Sequence, residues 1–264
     1  MTEFIYPHLR GLKTAYDRDG YVIIRQVLDA DLVAEANQHI DWLIQRHPDL
    51  RPELLGYSLV PDDPFWIRLV SDHRLLDIAE QLVGPNIALF AADYIAKPPN
   101  TGRKIAWHQD GNYWPLEPMN VVTQWVAYTA STPENGCVRI IPGTQHMTLQ
   151  ERHRNPDDPP DVLLTGMDQN LADEVNAVDI ILEAGDVSVH HPHIIHGSNA
   201  NTSDHWRRGG TYQYIPATTR ILNTDWPTFL FRGYAESGIN TYRAFPQYRE
   251  DEHFPFRGCE KWQS

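Results

Sequence analysis

From Asn86 onward, the hydrophobic pattern of the chain changes from helical to extended spacing. The run Ile87–Lys97 is long and apolar, which is typical of a buried strand, and shorter apolar runs separated by turn residues follow it. The shorter predicted strands cover residues 121–128, 138–141, 179–182, 186–189 and 210–214. Many short strands after a helical start predict an α+β chain, mainly β. Its expected core is a double-stranded β-helix, a jelly roll of the cupin type.

The segment before residue 86 is predicted to be largely helical. The expected elements are a turn at residues 17–20, a strand over 21–24, a helix over Ala30–Arg46, and a helix from Asp72 or His73 to Leu82. Asp29 is a suitable N-cap for the first helix, and Gly84-Pro85 stops the second. We expect both helices to pack outside the jelly roll.

The sequence predicts a single domain over residues 1–264, with no internal repeat and no clear linker. Within it we expect a helical part at about 1–85, a jelly-roll core at about 86–220 and an irregular, aromatic wrap at 221–264. Residues 150–175 are rich in Pro, Asp, Asn and Gln and lack a periodic pattern, which is typical of a functional loop or lid.

Charge and composition exclude several classes of partner. The formal net charge of −13 argues against nucleic acid and against anionic membranes, because both require a basic face. The chain lacks an apolar run long enough for a membrane span, and its N-terminus lacks the features of a signal peptide. Cys137 and Cys259 are far apart and form no zinc-type pair. We therefore expect a cytoplasmic protein that acts on a small molecule.

His108 and Asp110 are candidate metal ligands because they stand two positions apart. In an extended strand such residues point to the same face. One further histidine from a distant strand would complete the two-histidine, one-carboxylate set that is typical of non-heme ferrous oxygenases.

The third ligand is expected in residues 190–208, which contain five histidines. His196 follows two isoleucines and precedes a turn, so it should lie at a strand end, where ligands project into a barrel mouth. Spacing alone also allows His191 or His193.

Several motifs together resemble the phytanoyl-CoA dioxygenase family. The motifs are Trp107-His108-Gln109-Asp110, Glu134-Asn135-Gly136-Cys137, Ile141-Pro142-Gly143-Thr144-Gln145-His146, His196-Gly197-Ser198, and Arg207 eleven residues after His196. They occur in the family order between about residue 15 and residue 220. The resemblance implies an iron(II)- and 2-oxoglutarate-dependent oxygenase on a double-stranded β-helix.

The resemblance also assigns roles to individual residues. It makes His108, Asp110 and His196 the iron ligands, gives Arg207 and Ser198 to the distal carboxylate of 2-oxoglutarate, and places Trp125, Lys97 and Gln109 near that co-substrate. A dicarboxylate requires a planar, permanently charged donor, which arginine provides. Arg208 would face the opposite side of the strand, and the eleven-residue interval selects Arg207. Trp125 equally fits core packing, and a structural or solvated role fits Lys97 better than contact with the co-substrate.

The reaction implied by the resemblance is hydroxylation of an unactivated C–H bond with dioxygen, releasing succinate and CO2. Asp110 disfavours halogenation, because related halogenases have a small residue there that lets chloride bind the metal. We expect a free small metabolite rather than an acyl-CoA, since no basic cluster suits the phosphates of coenzyme A. Candidate pocket residues are Tyr113, Trp114, Arg103, Arg139 and the loop at 150–175, and Arg103 and Lys104 could meet an anionic group.

Two other functions compete with this prediction. A non-catalytic, cupin-like metal or ligand binder would explain the jelly roll and the histidines, but it would not explain an arginine at the family interval. A zinc hydrolase could use two histidines and a carboxylate, but it would have no need for Arg207.

Overall fold

Strands form most of the regular structure in the computed structural model, which describes residues 2–56, 61–154, 162–163, 165–223 and 225–263. The strands of this part of the chain are β1 (Glu3–Ile5), β2 (Tyr21–Arg25), β3 (Ile87–Lys97), β4 (Ile105–His108), β5 (Leu116–Glu117), β6 (Val122–Ala127), β7 (Val138–Ile141), β8 (His153–Arg154), β9 (Thr165–Gly166), β10 (Val178–Ile180), β11 (Val187–His190), β12 (Ile195–Ser198), β13 (Arg207–Pro216), β14 (Arg220–Ile221) and β15 (Phe229–Arg232).

Helices are concentrated before β3. They are α1 (Leu12–Asp19), α2 (Ala30–Arg46), α3 (Pro64–Val70) and α4 (His73–Val83). Short 3-10 helices lie at Pro52–Leu54, Asp110–Asn112, Thr144–His146, Gln169–Leu171, Glu174–Asn176 and Cys259–Trp262. None of the helices in the described segments is long and apolar enough to cross a membrane.

Two sheets face each other and form the jelly roll. The larger sheet has the strand order β1-β2-β11-β6-β13-β3-β15, and the smaller one has the order β10-β7-β12-β4. All pairs in the two sheets are antiparallel except β1 with β2. Neighbours in each sheet are mostly distant in sequence, as in a double-stranded β-helix. The predicted fold class is confirmed.

The larger sheet is covered on both faces, and its residues alternate accordingly. Val22 and Ile24 of β2 belong to the cluster shared with the helices, whereas Tyr21 and Ile23 belong to the cluster between the sheets. Period-two alternation is expected for a strand with different cores on its two sides. The helices therefore pack outside the jelly roll, as predicted, and the inner face remains available for a site.

Local signals account for two of the helices. α2 begins where predicted, because the Asp29 side chain accepts a hydrogen bond from the Leu32 backbone N–H at 2.9 Å. α4 follows Asp72, whose side chain caps it, and ends before Gly84, which has a φ of +86°. A β-branched or bulky residue would be strained at that position.

The elements that differ from the sequence prediction include α1, α3 and β15. α1 replaces the turn predicted at 17–20; it has only eight residues and no side-chain cap, so its local signal is weak. α3 was not predicted, because most of its seven residues are buried and it shows no amphipathic pattern. β15 lies in the segment predicted to be irregular, where it pairs with the distant β3.

Two further segments of the sequence prediction are the loop at 150–175 and the C-terminal wrap. The predicted loop at 150–175 contains the two-stranded ribbon of β8 and β9, and its residues 155–161 and 164 lie outside the described residues. In the C-terminal part, Phe254 and Phe256 are buried in the cluster shared with the helices. The division of the chain into one domain with three parts stays a prediction.

Candidate active site

Two strands of the smaller sheet place His108 and His196 side by side. β4 and β12 are antiparallel, with His196 directly opposite His108, and the two rings lie 4.1 Å apart between centroids. Asp110 comes two residues after His108, at the start of the 3-10 helix Asp110–Asn112. The chain leaves the strand at this point, and the carboxylate turns towards both imidazoles.

The three side chains form a cluster that could hold a metal ion. Asp110 Oδ1 lies 3.5 Å from Nε2 of His108 and 3.6 Å from Nε2 of His196, and the candidate ligand atoms all lie within 4.8 Å of one another. Two histidines and one carboxylate, with the remaining coordination positions open, suit non-heme iron(II).

Backbone hydrogen bonds orient both rings for this role. Nδ1 of His108 contacts the Ala106 carbonyl at 2.8 Å, and Nδ1 of His196 contacts the Ile194 carbonyl at 3.1 Å. Because a carbonyl oxygen only accepts, the ring proton belongs on Nδ1 in each case. The Nε2 lone pairs are therefore directed into the cluster, and such contacts are typical of metal-binding histidines.

The electrostatics favour the protonation states that a metal ion requires. Burial alone would raise the pKa of Asp110, but the adjacent imidazoles of His196, His108 and His190 hold that pKa well below its ordinary value. Burial, together with the neighbouring His108, lowers the pKa of His196 well below its ordinary value. An ionised carboxylate and a neutral imidazole are the forms that bind metals.

The cluster opens into a cavity of about 300 Å³ between the two sheets. Apolar and aromatic side chains form much of its wall, including Ala91, Ile95, Ile105, Tyr113, Trp114, Val138, Val162 and Leu163. Polar side chains of the larger sheet also face it, namely Asp93, Thr123, Thr211 and Gln213. Mostly apolar cavities with a few polar groups are typical of small-molecule sites.

Arg207 lies in the same cavity and is fully buried. Its Nη1 donates to the Gly136 carbonyl at 2.9 Å, whereas Nε and Nη2 have no hydrogen-bond partner among the described residues. The guanidinium stacks over the Trp125 ring at 5.1 Å, and burial lowers its pKa to about 10, so it is charged at neutral pH. A buried arginine with two unsatisfied donor atoms fits a carboxylate ligand.

Arg207 and Arg208 point to opposite faces of β13, as predicted. Arg208 Nη2 donates to Asp41 of α2 at 2.6 Å, and its guanidinium lies over Trp206 at 4.6 Å. Arg208 therefore belongs to the contact between the sheet and the helices.

Ser198 and Lys97 act as a pair beside Arg207. Lys97 pairs with Arg207 in register and donates from Nζ to Ser198 Oγ at 2.6 Å and to the Asn199 carbonyl at 2.5 Å. Ser198 lines the cavity, and Lys97 is not among the described lining residues. Lys97 thus holds the Ser198 hydroxyl from behind, which favours the structural role weighed for it.

Gln109 points away from the cavity, as expected for a residue between two inward-facing neighbours. Its Nε2 donates to the His193 carbonyl at 2.7 Å, and its Oε1 accepts from the Gln150 backbone N–H at 2.8 Å. Through these two hydrogen bonds, the Gln109 side chain connects two loops. Its predicted proximity to the co-substrate stays a prediction without support from these contacts.

The predicted pocket residues divide into two groups. Tyr113 and Trp114 line the cavity. Arg139 instead pairs with Asp179 at 3.2 Å and lies over the Trp107 ring at 5.3 Å. Neither Arg139 nor Arg103 is among the described lining residues, so their contact with the pocket stays a prediction without support from this geometry.

Thr123 was missed as a site residue from the sequence, and His190 was considered there only as a histidine near the ligands or an incidental member of its histidine-rich segment. His190 Nε2 lies 3.4 Å from Asp110 Oδ2, and Thr123 Oγ1 donates to the same oxygen at 3.0 Å. The two residues are register partners on β11 and β6, a long-range pairing that has no signal in the sequence. His191 and His193 contact each other, with ring centroids 5.2 Å apart, and neither joins the described ligand cluster.

Comparisons with known proteins agree with this geometry. The model of the phytanoyl-CoA dioxygenase (PhyH) family matches residues 16–209. The peroxisomal phytanoyl-CoA dioxygenase of Bos taurus is 32% identical over 245 residues, covering 80% of this chain and 69% of the relative. The ectoine dioxygenase of Sphingopyxis alaskensis is 25% identical over 231 residues, covering 78% of this chain and 76% of the relative.

A solved structure extends the comparison to three dimensions. The non-heme, alpha-ketoglutarate-dependent epimerase SnoN from nogalamycin biosynthesis superposes with a TM-score of 0.62 at 26% identity, covering 81% of this chain and 85% of the other. Since the family model spans most of its length, the chain belongs to the phytanoyl-CoA dioxygenase family of iron(II)- and 2-oxoglutarate-dependent dioxygenases.

Proposed function

We propose that the protein hydroxylates an unactivated C–H bond of a small-molecule metabolite. One atom of dioxygen enters the new hydroxyl group, and the other enters succinate as 2-oxoglutarate loses CO2. The observation that carries the proposal is the buried Arg207, which offers two unsatisfied donor atoms in the cavity that also contains the His108, Asp110 and His196 cluster.

His108, Asp110 and His196 would hold iron(II), which supplies the oxidising chemistry with dioxygen and 2-oxoglutarate when it is bound. The backbone contacts of the two histidines support this assignment, because they fix Nε2 as the ligand atom on each ring. Three protein ligands leave positions for the co-substrate and dioxygen.

Arg207 would bind the distal carboxylate of 2-oxoglutarate through Nε and Nη2. Ser198, whose hydroxyl is held by Lys97, would contact the same carboxylate, and the Trp125 ring would form the wall beside it. Charge-assisted, planar pairing of this kind is the strong mode of carboxylate recognition. Neither a non-catalytic binder nor a zinc hydrolase would use such an anchor.

Asp110 supports hydroxylation over halogenation. Its carboxylate fills the place that a halide would take in related halogenases, and Thr123 and the flanking histidines hold it there. With this carboxylate in place, the reaction at the site would add oxygen, and not a halide, to the substrate carbon.

The cavity wall supports a free small metabolite as the substrate. Arg207 is the one lysine or arginine among the described lining residues, and the co-substrate would occupy it. The remaining wall is largely apolar, its polar side chains include the acidic Asp93, and the chain carries a net charge of −13. The described cavity lining therefore offers no further lysine or arginine to a polyanionic substrate.

A metabolite screen tests this proposal. The iron-loaded protein is incubated with 2-oxoglutarate and candidate metabolites, succinate is quantified, and products are examined for the mass gain of one oxygen atom. We expect at least one metabolite to stimulate succinate release, and Asp110→Ala and His196→Ala to abolish it. Full turnover in either variant, or equal activity after replacement of iron by zinc, would contradict the assignment.

A further inference from the structure

The two oxygens of Asp110 have different surroundings. Oδ1 faces the Nε2 atoms of His108 and His196 at 3.5 and 3.6 Å. Oδ2 faces away from them, towards Thr123 Oγ1 at 3.0 Å and His190 Nε2 at 3.4 Å. One oxygen is thus directed to the metal cluster, and the other is directed to the larger sheet.

The larger sheet presents the two partners of Oδ2 from adjacent strands. His190 ends β11 and is paired in register with Thr123 of β6, so both side chains project from the same row into the cavity. The His190 ring is 1% exposed and lies 4.5 Å from the His196 ring between centroids. Burial and the contact with His196 therefore hold the His190 ring beside the cluster.

The hydrogen-bonding options of His190 are restricted. Its Nδ1 has no partner among the described residues, and its Nε2 contacts only the Asp110 carboxylate in that part of the chain. A carboxylate oxygen accepts and does not donate, so the ring proton belongs on Nε2. His190 consequently donates to Asp110 and has no Nε2 lone pair to offer a metal ion.

We propose that His190 is a positioning residue which, together with Thr123, keeps Oδ2 off the metal so that Asp110 binds iron through Oδ1 alone. This inference rests on the proposed function, because it assumes the iron site. A carboxylate that bound through both oxygens would take a coordination position needed by 2-oxoglutarate or dioxygen. Hydrogen bonds from outside the ligand set are a common way to fix a ligand in this manner.

Cobalt(II) binding tests the inference without requiring turnover. Co(II) is titrated into the wild-type protein and into His190→Phe, with calorimetry for affinity and visible absorption for coordination geometry. We expect His190→Phe to bind Co(II) about 10- to 100-fold more weakly, with an altered absorption spectrum. His190→Gln keeps an N–H donor and should restore part of both properties. Thr123→Val should weaken binding in the same direction.

Two control variants make each outcome decisive. His193→Phe changes a histidine of the same segment whose ring contacts His191 and which lies outside the described ligand cluster, and it should match wild type. His108→Ala removes a ligand and should abolish specific binding. If wild type and His108→Ala bind Co(II) equally, the proposed metal site itself fails.

The remaining outcomes concern His190 alone. Wild-type affinity and spectrum in His190→Phe would overturn the inference while leaving the metal site intact. Loss as complete as in His108→Ala, in a His190→Phe protein that keeps its thermal unfolding temperature without metal, would also overturn it, because His190 would then be a ligand. Partial weakening, with partial rescue by His190→Gln, would support it.

Discussion

Arg207 and Arg208 are adjacent in the chain but have different environments. Arg207 is buried in the cavity with two unsatisfied donor atoms, and Arg208 pairs with Asp41 at 2.6 Å on the opposite face of β13. Burying a guanidinium without full hydrogen bonding is costly. The energetic cost at Arg207 is offset when a carboxylate enters the cavity, whereas Arg208 needs no ligand.

Substitution of the two arginines should therefore have different effects on 2-oxoglutarate binding. Arg207→Ala removes charged hydrogen bonds worth about 1.5–3 kcal/mol each, so 2-oxoglutarate should bind at least roughly tenfold more weakly. Arg208→Ala should leave its affinity unchanged. Calorimetric titration of 2-oxoglutarate into the metal-loaded, oxygen-free proteins measures both, and the reverse result would move the role to Arg208. Because the pKa of Arg207 is about 10, wild-type affinity should not change between pH 7 and 9 through loss of this charge.

The site shows which residue roles a sequence can reveal. His108 and Asp110 were identifiable because strand alternation places them on one face. Arg207 was identifiable by its interval from His196. The contact between His190 and Asp110 was not identifiable, because it depends on the pairing of β11 with β6. Contacts within one strand leave a local pattern, whereas contacts made by sheet register do not.

At the scale of elements, β13 links the proposed co-substrate site to the body of the larger sheet. Its first residue is Arg207, and Gly209 lies where the Trp125 ring crosses the strand. A Cβ atom at position 209 would lie 2.4 Å from the Trp125 ring and 2.8 Å from the Val126 carbonyl oxygen. Glycine at this position thus lets the ring lie flat beneath the Arg207 guanidinium.

Gly209→Ala should therefore weaken co-substrate binding without touching the metal ligands. The added methyl group displaces the Trp125 ring, which disturbs its stacking with Arg207. We expect a several-fold loss of 2-oxoglutarate affinity with unchanged Co(II) affinity, both measured by calorimetry. Unchanged 2-oxoglutarate affinity in a folded variant would show that the Trp125 position does not matter for this step.

Elements were predictable where their signals were local. The start of α2 follows from Asp29, and the end of α4 follows from Gly84. α3 was not predicted because it is buried nearly all round, and β15 was not predicted because it depends on pairing with the distant β3. Both are stabilised by tertiary contacts, which a short sequence window does not contain.

At the scale of the whole molecule, the two faces of the larger sheet have different roles: the outer face packs against the helices, and the inner face lines the cavity. The helices cover the outer face of the larger sheet, and Tyr214 and Gln124 donate hydrogen bonds from that face to the carbonyls of Val70 and Leu75. The inner face is thereby free to carry the cavity, with the His108 cluster and Arg207 on facing sheets. The architecture and the reaction class are those of the PhyH family, while the substrate depends on the cavity wall.

The most direct test of the central claim follows oxygen atoms from dioxygen. The iron-loaded protein is supplied with ¹⁸O-labelled dioxygen, 2-oxoglutarate and a metabolite found in the screen, and succinate and product are examined by mass spectrometry. We predict one labelled oxygen in succinate and one in the hydroxylated product, and neither with Asp110→Ala. Unlabelled succinate from the wild-type protein, or equal labelling in Asp110→Ala, would contradict an iron(II)- and 2-oxoglutarate-dependent hydroxylase built on this site.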